Sequence, residues 1–230
     1  MDSSQLFMSM SNLGFLVPAA LFAAFGDYFD AILQVCVFAA SFCYHSCYRN
    51  NLFQMEICHF STTQVLLLLH IDLFFSNVAS FNYLMRLLPH KGNFNIKFPL
   101  VICSAIVVVL VGILTNSYER HTFNHDSSLY MMGAQAVLFI YLYLLNVFLF
   151  LDRKEPLLPQ LKTYYTTFFR TTYLIISLSL LAVGLTVWTL LQRLTTIVYE
   201  DLHPFWHIIM TVALIFLIIS IRRKIKSLAL

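Results

Sequence analysis

Seven long runs of apolar residues, separated by shorter polar stretches, form the main pattern along the chain. The runs cover about residues 6–25, 31–48, 63–88, 98–115, 129–151, 171–192 and 205–221. A helix needs roughly 20 apolar residues to cross about 30 Å of hydrocarbon, which matches these lengths. Transmembrane barrel strands would be about ten residues long and would alternate in polarity, which these runs do not. The pattern predicts an all-α membrane protein, with residues 1–230 forming a single bundle of seven transmembrane helices.

Composition excludes an ordinary water-soluble protein. Of the 230 residues, 60% are hydrophobic and 11% are charged, and the mean hydropathy is +0.78. Most charged residues lie between the apolar runs, as expected for membrane topology, so we expect no nucleic-acid partner. The first five residues contain no Lys or Arg, so we expect the first run to be a retained span and not a signal peptide.

Lys and Arg are distributed unequally between the two sides that seven spans would define. The connections on the side of the amino terminus contain Arg49, Arg120 and Arg193. The opposite side contains the other eleven of the fourteen basic residues: Arg86, Lys91, Lys97, Arg153, Lys154, Lys162, Arg170, Arg222, Arg223, Lys224 and Lys226. Because cytosolic flanks keep positive charge during insertion, the amino terminus is predicted outside and the carboxyl terminus in the cytosol.

Four polar residues lie inside the apolar runs at a similar predicted depth, in the outer half of the membrane. They are His45 near the end of the second run, Asp72 in the third, and His203 and His207 at the start of the seventh. A charged group at such a depth costs about 3 kcal/mol or more unless it is paired or lines a wet cavity. These four residues are therefore the first candidates for a functional site.

The spacing of His203 and His207 favours a metal site. Residues four apart lie on one helical face about one turn from each other, so both imidazoles can reach one ion. With His45 they would form a three-histidine zinc site, which leaves a fourth tetrahedral position for water or a ligand. Asp72 and Ser41 would then support the site, by accepting a hydrogen bond from a ligand or by holding water at the metal.

Other interpretations of these histidines remain open. They could be interfacial side chains that bond to one another and to lipid headgroups, with no metal present. His59 and His70 are possible substitutes as ligands, although His70 is two residues from Asp72 and points to another part of its helix. For both we favour a role in packing.

Two cysteines flank the predicted outer loop after the second span. Cys47 and Cys58 would lie in an oxidising compartment, where a disulfide can form and could stabilise the fold by roughly 2 to 4 kcal/mol. The alternative is two free thiols. We expect Cys36, Cys43 and Cys103 to be small apolar packing residues within helices.

The third run also carries a polar stripe. Asp72, Ser76 and Ser80 recur every four residues, so they would share one helical face that leads inward from the predicted metal. Such residues can line a groove, but they also hold transmembrane helices together, and the second role is the commoner one.

These motifs resemble the signature of the CREST superfamily, which includes alkaline ceramidases and the transmembrane-protein-8 group. The shared pattern is Ser41 and His45 ending the second helix, an Asp in the third, and His203 and His207 opening the seventh. The transmembrane-protein-8 group is the most similar, through His45-Ser46-Cys47 with Cys58, Asn82-Tyr83-Leu84-Met85, and His203-Pro204-Phe205-Trp206-His207 after Glu200-Asp201. The chain has no cysteine after Cys103, unlike the cysteine-rich tail of a vertebrate member, which implies a divergent or invertebrate orthologue.

The resemblance implies a plasma-membrane protein that promotes cell–cell fusion of myoblasts. Zinc would be structural and would join the second, third and seventh helices. The expected partners are membrane lipids, a second copy in a homodimer and a small fusion-partner membrane protein. The alternative is a ceramidase-like, zinc-dependent lipid amide hydrolase, with Asp72 as general base and Ser41 assisting the oxyanion. A seven-helix receptor of the G-protein-coupled type has less support, since its Asp-Arg-Tyr and Asn-Pro-x-x-Tyr motifs are missing.

The predicted orientation can be tested with epitope tags at the two ends of the chain. We expect an amino-terminal tag to bind antibody on intact cells and a carboxyl-terminal tag to bind only after permeabilisation, because the basic residues lie on the cytosolic side. Immunofluorescence of both tags measures this. Equal access to both tags before permeabilisation would require an even number of spans and would contradict the prediction.

Overall fold

Helices make up the part of the chain that the computed structural model describes, which is residues 3–47, 62–88, 106, 133, 136–144, 147, 156–191 and 196–228. The helices with described bounds are α1 (Ser3–Ser11), a 3-10 turn (Asn12–Phe15), α2 (Leu16–Ala24), α3 (Tyr28–Cys47), α4 (Thr62–Arg86), α5 (Leu157–Phe168), α6 (Thr171–Leu191) and α7 (Thr196–Leu228). Residues 136–144 are also helical, and the described ranges contain no strand. This confirms the all-α class.

Four helical segments are long and apolar enough to cross a membrane: Leu6–Ala24, Tyr28–Cys47, Thr171–Trp188 and Leu202–Arg222. They match the first, second, sixth and seventh predicted runs. The third run coincides with α4, whereas the fourth run and the ends of the fifth lie outside the described residues, except for single positions. Four such helices indicate a multi-pass membrane protein, and the number of seven spans and the orientation stay predictions.

The first span is interrupted by a tight 3-10 turn. Pro18 lies in the first turn of α2 and has no N–H to donate, and in an uninterrupted helix its ring would clash with the carbonyl of Gly14. The carbonyl groups released at the break are satisfied by side chains. Ser11 donates its hydroxyl to Met8 O at 2.7 Å, and Asn12 Nδ2 donates to the same oxygen at 3.0 Å. The interruption thus brings two polar side chains into the buried interior.

A short turn connects α2 to α3 and makes them antiparallel neighbours. Gly26 adopts a φ of 83°, which a residue with a Cβ adopts only with strain. Asp27 then caps α3, since its Oδ1 accepts the backbone N–H of Asp30 at 3.4 Å. The hairpin sets α3 against the broken first span, so that the last turn of α3 lies level with the end of α1.

The helices α6 and α7 form a second antiparallel pair. The backbone N–H of Arg170 donates to Ser220 O at 3.0 Å, and Ser177 Oγ donates to Ala213 O at 2.8 Å. Further along the pair, the Trp188 ring lies 5.5 Å from that of His203. The contacts advance along α6 as they go back along α7, so the two helices are antiparallel. They hold the start of α7 against the end of α6.

The chain forms two compact units, of which the first combines Met1–Phe75 with Phe169–Leu230. Its core contains the fully buried side chains of Phe22, Leu217, Ile218 and Ile221. Buried polar residues occur within the same unit, at Asp30, Gln34, Asn12 and Ser177 among others. This unit contains all three predicted histidine ligands.

The second unit is Ser76–Phe168, and its described core is built on Phe81 and Leu88. Two tyrosines of α5 donate to carbonyl groups just beyond the end of α4: Tyr164 to Leu88 O at 2.9 Å and Tyr165 to Leu87 O at 3.1 Å. Burial, together with a hydrogen bond to Tyr143, raises the pKa of Tyr165 above its usual value. Both the direction of this shift and the bond to Leu87 O fit a protonated phenol that acts as a donor.

The close approach of the 3-10 turn to α7 predicts a stability difference between glycines. A Cβ added at Gly14 would lie 2.9 Å from Thr211 Oγ1 and 3.2 Å from Cγ2, whereas one at Gly133 meets nothing within 4 Å. We expect Gly14→Ala to lower the thermal midpoint of the purified protein, because overpacking costs about 1–3 kcal/mol in unfolding free energy. Gly133→Ala is the control and should leave the midpoint unchanged or raise it.

Size-exclusion chromatography after heating measures the midpoint of each variant. Adding Thr211→Ala to Gly14→Ala should restore part of the loss, because the crowding atoms are removed. If Gly14→Ala and Gly133→Ala unfold at the same temperature, the described packing of the turn against α7 is wrong.

Candidate metal centre

Three histidines from two helices converge on one buried point. His45 lies in the last turn of α3, and His203 and His207 lie one turn apart on α7. Their rings are separated by 4.9 Å for His45–His203, 5.1 Å for His45–His207 and 4.5 Å for His203–His207. One ligand nitrogen from each residue lies within 4.8 Å of the others. The three are close enough to bind a metal ion.

The chemistry of this set suits zinc. Three imidazole nitrogens are ligands that Zn²⁺ binds at about 2.0–2.1 Å, and a tetrahedral site would place them about 3.4 Å apart. Small ring movements from the described geometry would be enough. Imidazole also binds copper, nickel and iron, so three histidines alone do not identify the ion.

A buried nitrogen of His45 supports the fit to a metal. His45 is 4% exposed, and its Nδ1 is buried with no hydrogen-bond partner among the described residues. A buried polar atom without a partner costs about 1–3 kcal/mol. A metal ion bound to Nδ1 would remove this cost. A metal ion bound to Nε2 instead would fix the orientation of the His45 ring.

Ser11 is a contact of the site that the sequence analysis did not identify. Its Oγ lies 2.9 Å from His207 Nδ1, and both residues are buried. One signal was present, since Ser9, Ser11 and Asn12 are polar residues inside the first apolar run. The spacing along the sequence could not show that one of them reaches α7.

Aromatic rings enclose the three histidines. Phe15 lies 5.7 Å from the His207 ring and Tyr44 lies 4.8 Å from the His45 ring. Trp188 and Trp206 each lie 5.5 Å from the His203 ring. These side chains exclude water, which strengthens the electrostatic attraction between a metal ion and its ligands.

The two supporting residues predicted from the sequence, Ser41 and Asp72, lie on different helices. Ser41 is 3% exposed and precedes His45 by one turn on the buried face of α3. Asp72 is 8% exposed in α4 and does not belong to the described group of close ligand atoms. Its contact with the histidines stays a prediction. His70 is half-buried in α4 and is also outside the group, and His59 lies outside the described residues.

Two further predictions concern the flanks of the site. Cys47 is disulfide-bonded, while Cys36 and Cys43 are free thiols. Cys58, the predicted partner of Cys47, lies outside the described residues, so the pairing stays a prediction.

The predicted polar stripe on α4 becomes more exposed along the helix. Burial decreases from Asp72 to the half-buried Ser76 and the exposed Ser80, so this stripe is not buried along its whole length.

Comparison of the sequence with known families and curated proteins gives no match. No model of a known protein family matches the chain. No curated protein is significantly similar to it. The family resemblance therefore depends on the motif residues alone.

The geometry predicts that metal binding can be followed by the fluorescence of the two tryptophans of the chain. Both rings lie near His203, so titration of metal-stripped protein with Co²⁺ should quench their fluorescence with one ion per chain. Losing a hydrogen bond that supports a ligand typically weakens metal binding by about 10- to 100-fold. His45→Ala and His207→Ala each remove a ligand, so each should weaken Co²⁺ binding by more than that.

His70→Ala is the matched control, because it removes an imidazole of the same unit that lies outside the ligand group. It should quench like the unchanged protein. Equal affinity of the His45→Ala and unchanged proteins would show that the three histidines do not form the binding site.

Proposed function

We propose that this chain is a plasma-membrane protein that promotes fusion between cells, and that a structural zinc ion ties the start of α7 to the end of α3. Among members of the CREST superfamily its motifs look most like those of myomaker, a seven-span protein needed for myoblast fusion. The observation that carries the metal part of this proposal is the convergence of His45, His203 and His207, each at most 4% exposed.

A structural role for the metal is supported by the enclosure of its ligands. The histidines come from opposite ends of the chain and are covered by Phe15, Tyr44 and Trp206, and a metal held there links helices that the sequence separates. Zinc binding contributes on the order of 10 kcal/mol in small zinc proteins, which is comparable to the whole stability of many domains. Loss of the ion should therefore disturb the packing of the first unit.

In the predicted orientation, the metal lies in the membrane half that faces the neighbouring cell. Packing that is fixed there would determine which apolar side chains contact lipid on the outer side. Exposed apolar residues beside the histidines at the start of α7, Phe205 and Ile208 among them, supply such a lipid-facing surface. A homodimer and a small fusion-partner membrane protein remain the proposed partners, together with the lipids themselves.

A zinc-dependent lipid amide hydrolase is the second candidate, and the burial of Ser41 and Asp72 favours it. Zinc would supply Lewis-acid activation of water and of the amide carbonyl. Asp72 would accept the proton of the attacking water, and the Ser41 hydroxyl would donate a hydrogen bond to the developing oxyanion. This function requires that a lipid amide reach the histidines past the aromatic side chains that cover them.

Expression in fusion-incompetent muscle precursor cells tests the proposed function. At matched surface levels we expect the unchanged protein and Asp72→Asn to form multinucleated cells, because a structural site needs no general base. His207→Ala should abolish fusion, since it removes a ligand, and His70→Ala should retain it. Counting nuclei per cell measures the result.

Two results would contradict the proposal in different ways. If well-displayed unchanged protein forms no multinucleated cells and purified protein hydrolyses ceramide, the hydrolase is the better account. If Asp72→Asn abolishes both fusion and ceramide hydrolysis while zinc content stays normal, the metal is catalytic and not structural.

A further inference from the structure

The hydroxyl of Ser11 contacts two groups at once. Its Oγ lies 2.7 Å from Met8 O and 2.9 Å from His207 Nδ1. A serine hydroxyl has one proton, so it can donate to only one of them. A carbonyl oxygen can only accept, and at 2.7 Å two oxygen atoms with no proton between them would repel each other. The Ser11 proton therefore belongs to the bond with Met8.

This assignment decides the tautomer of His207. Once the Ser11 proton points at Met8, the oxygen of Ser11 can only accept a hydrogen bond from His207. The proton of the neutral imidazole must then be on Nδ1, because a nitrogen lone pair facing the Ser11 lone pairs would make no bond. The lone pair of His207 is left on Nε2, at the other side of the ring.

The hydroxyl is itself held in place by its surroundings. Ser11 is the last residue of α1, where the chain tightens into the 3-10 turn, and it is 8% exposed. The carbonyl of Met8 also accepts the side-chain amide of Asn12 at 3.0 Å, which fixes the position of that oxygen. The ring of Phe15, one turn further, lies 5.7 Å from the His207 ring. Ser11 is thus a rigid acceptor.

We propose that Ser11 is a positioning residue for the metal centre: by accepting the Nδ1–H of His207 it holds this ligand as the tautomer whose Nε2 binds the ion. The proposal rests on the metal site proposed above and adds the first span to it. Metal binding then depends on the docking of α1 against α7, and not only on the two helices that supply the histidines.

Zinc affinity and the visible spectrum of the Co²⁺-substituted full chain test this role. Ser11→Ala removes the acceptor and should weaken zinc binding by about 10- to 100-fold in competition with a chromophoric chelator. It should also change the Co²⁺ ligand-field bands, since the ring is no longer fixed. Ser11→Thr keeps the hydroxyl and should restore both the affinity and the spectrum.

Ser9→Ala is the matched control. It removes a hydroxyl of equal size from the same helix, at a residue 2% exposed, and that hydroxyl has no hydrogen-bond partner among the described residues. Its zinc affinity should equal that of the unchanged protein. Equal affinities and spectra for the Ser11→Ala and unchanged proteins would overturn the role of Ser11 and leave the metal site standing. No metal binding by the unchanged protein would overturn the metal site itself.

Nitrogen-15 NMR of histidine-labelled, metal-free protein gives a second test if Ser11→Ala fails to fold. The His207 signals can be assigned by their loss in His207→Gln. A proton on Nδ1 is the expected result. A proton on Nε2 would overturn the proposal, since the lone pair would then face Ser11.

Discussion

Three imidazole rings share one site that is almost closed to solvent, and the rest of the first unit is arranged around that burial. His45, His203 and His207 are between 2% and 4% exposed, and their rings lie 4.5–5.1 Å apart. Polar groups brought together in an apolar interior cost free energy unless each finds a partner. A shared cation bound by all three rings would lower that cost.

The local features of the neighbouring helices follow from this constraint. The break in the first span allows Ser11 to turn towards His207 while its carbonyl neighbours remain bonded. The antiparallel pairing of α6 with α7 places Trp188 against His203 and closes another side. The hairpin of α2 and α3 presents the last turn of α3, with His45, at the same level. Each element therefore supplies either a ligand, a hydrogen-bond partner for a ligand, or a covering side chain.

The sequence was sufficient for those parts of the site that depend on helical periodicity. The spacing of His203 and His207 places them on one face of any helix, and both spans that carry the ligands are apolar enough to be recognised. Their convergence with His45 was predicted from depth alone, and the structure brings the three together. Ser11 was missed because its contact depends on a 3-10 turn and on tertiary docking, which no periodic pattern encodes. The supporting role of Asp72 stays a prediction, since depth along the span says nothing about the direction in which a side chain points.

The central claim is that the three histidines hold a metal ion in the native protein. Elemental analysis by mass spectrometry, on full-length protein purified in detergent from cells grown without added metal, tests it most directly. The account predicts one zinc ion per chain in the unchanged protein and none in His203→Ala. Folded, monodisperse protein with no transition metal, or a metal content unaffected by His203→Ala, would contradict it.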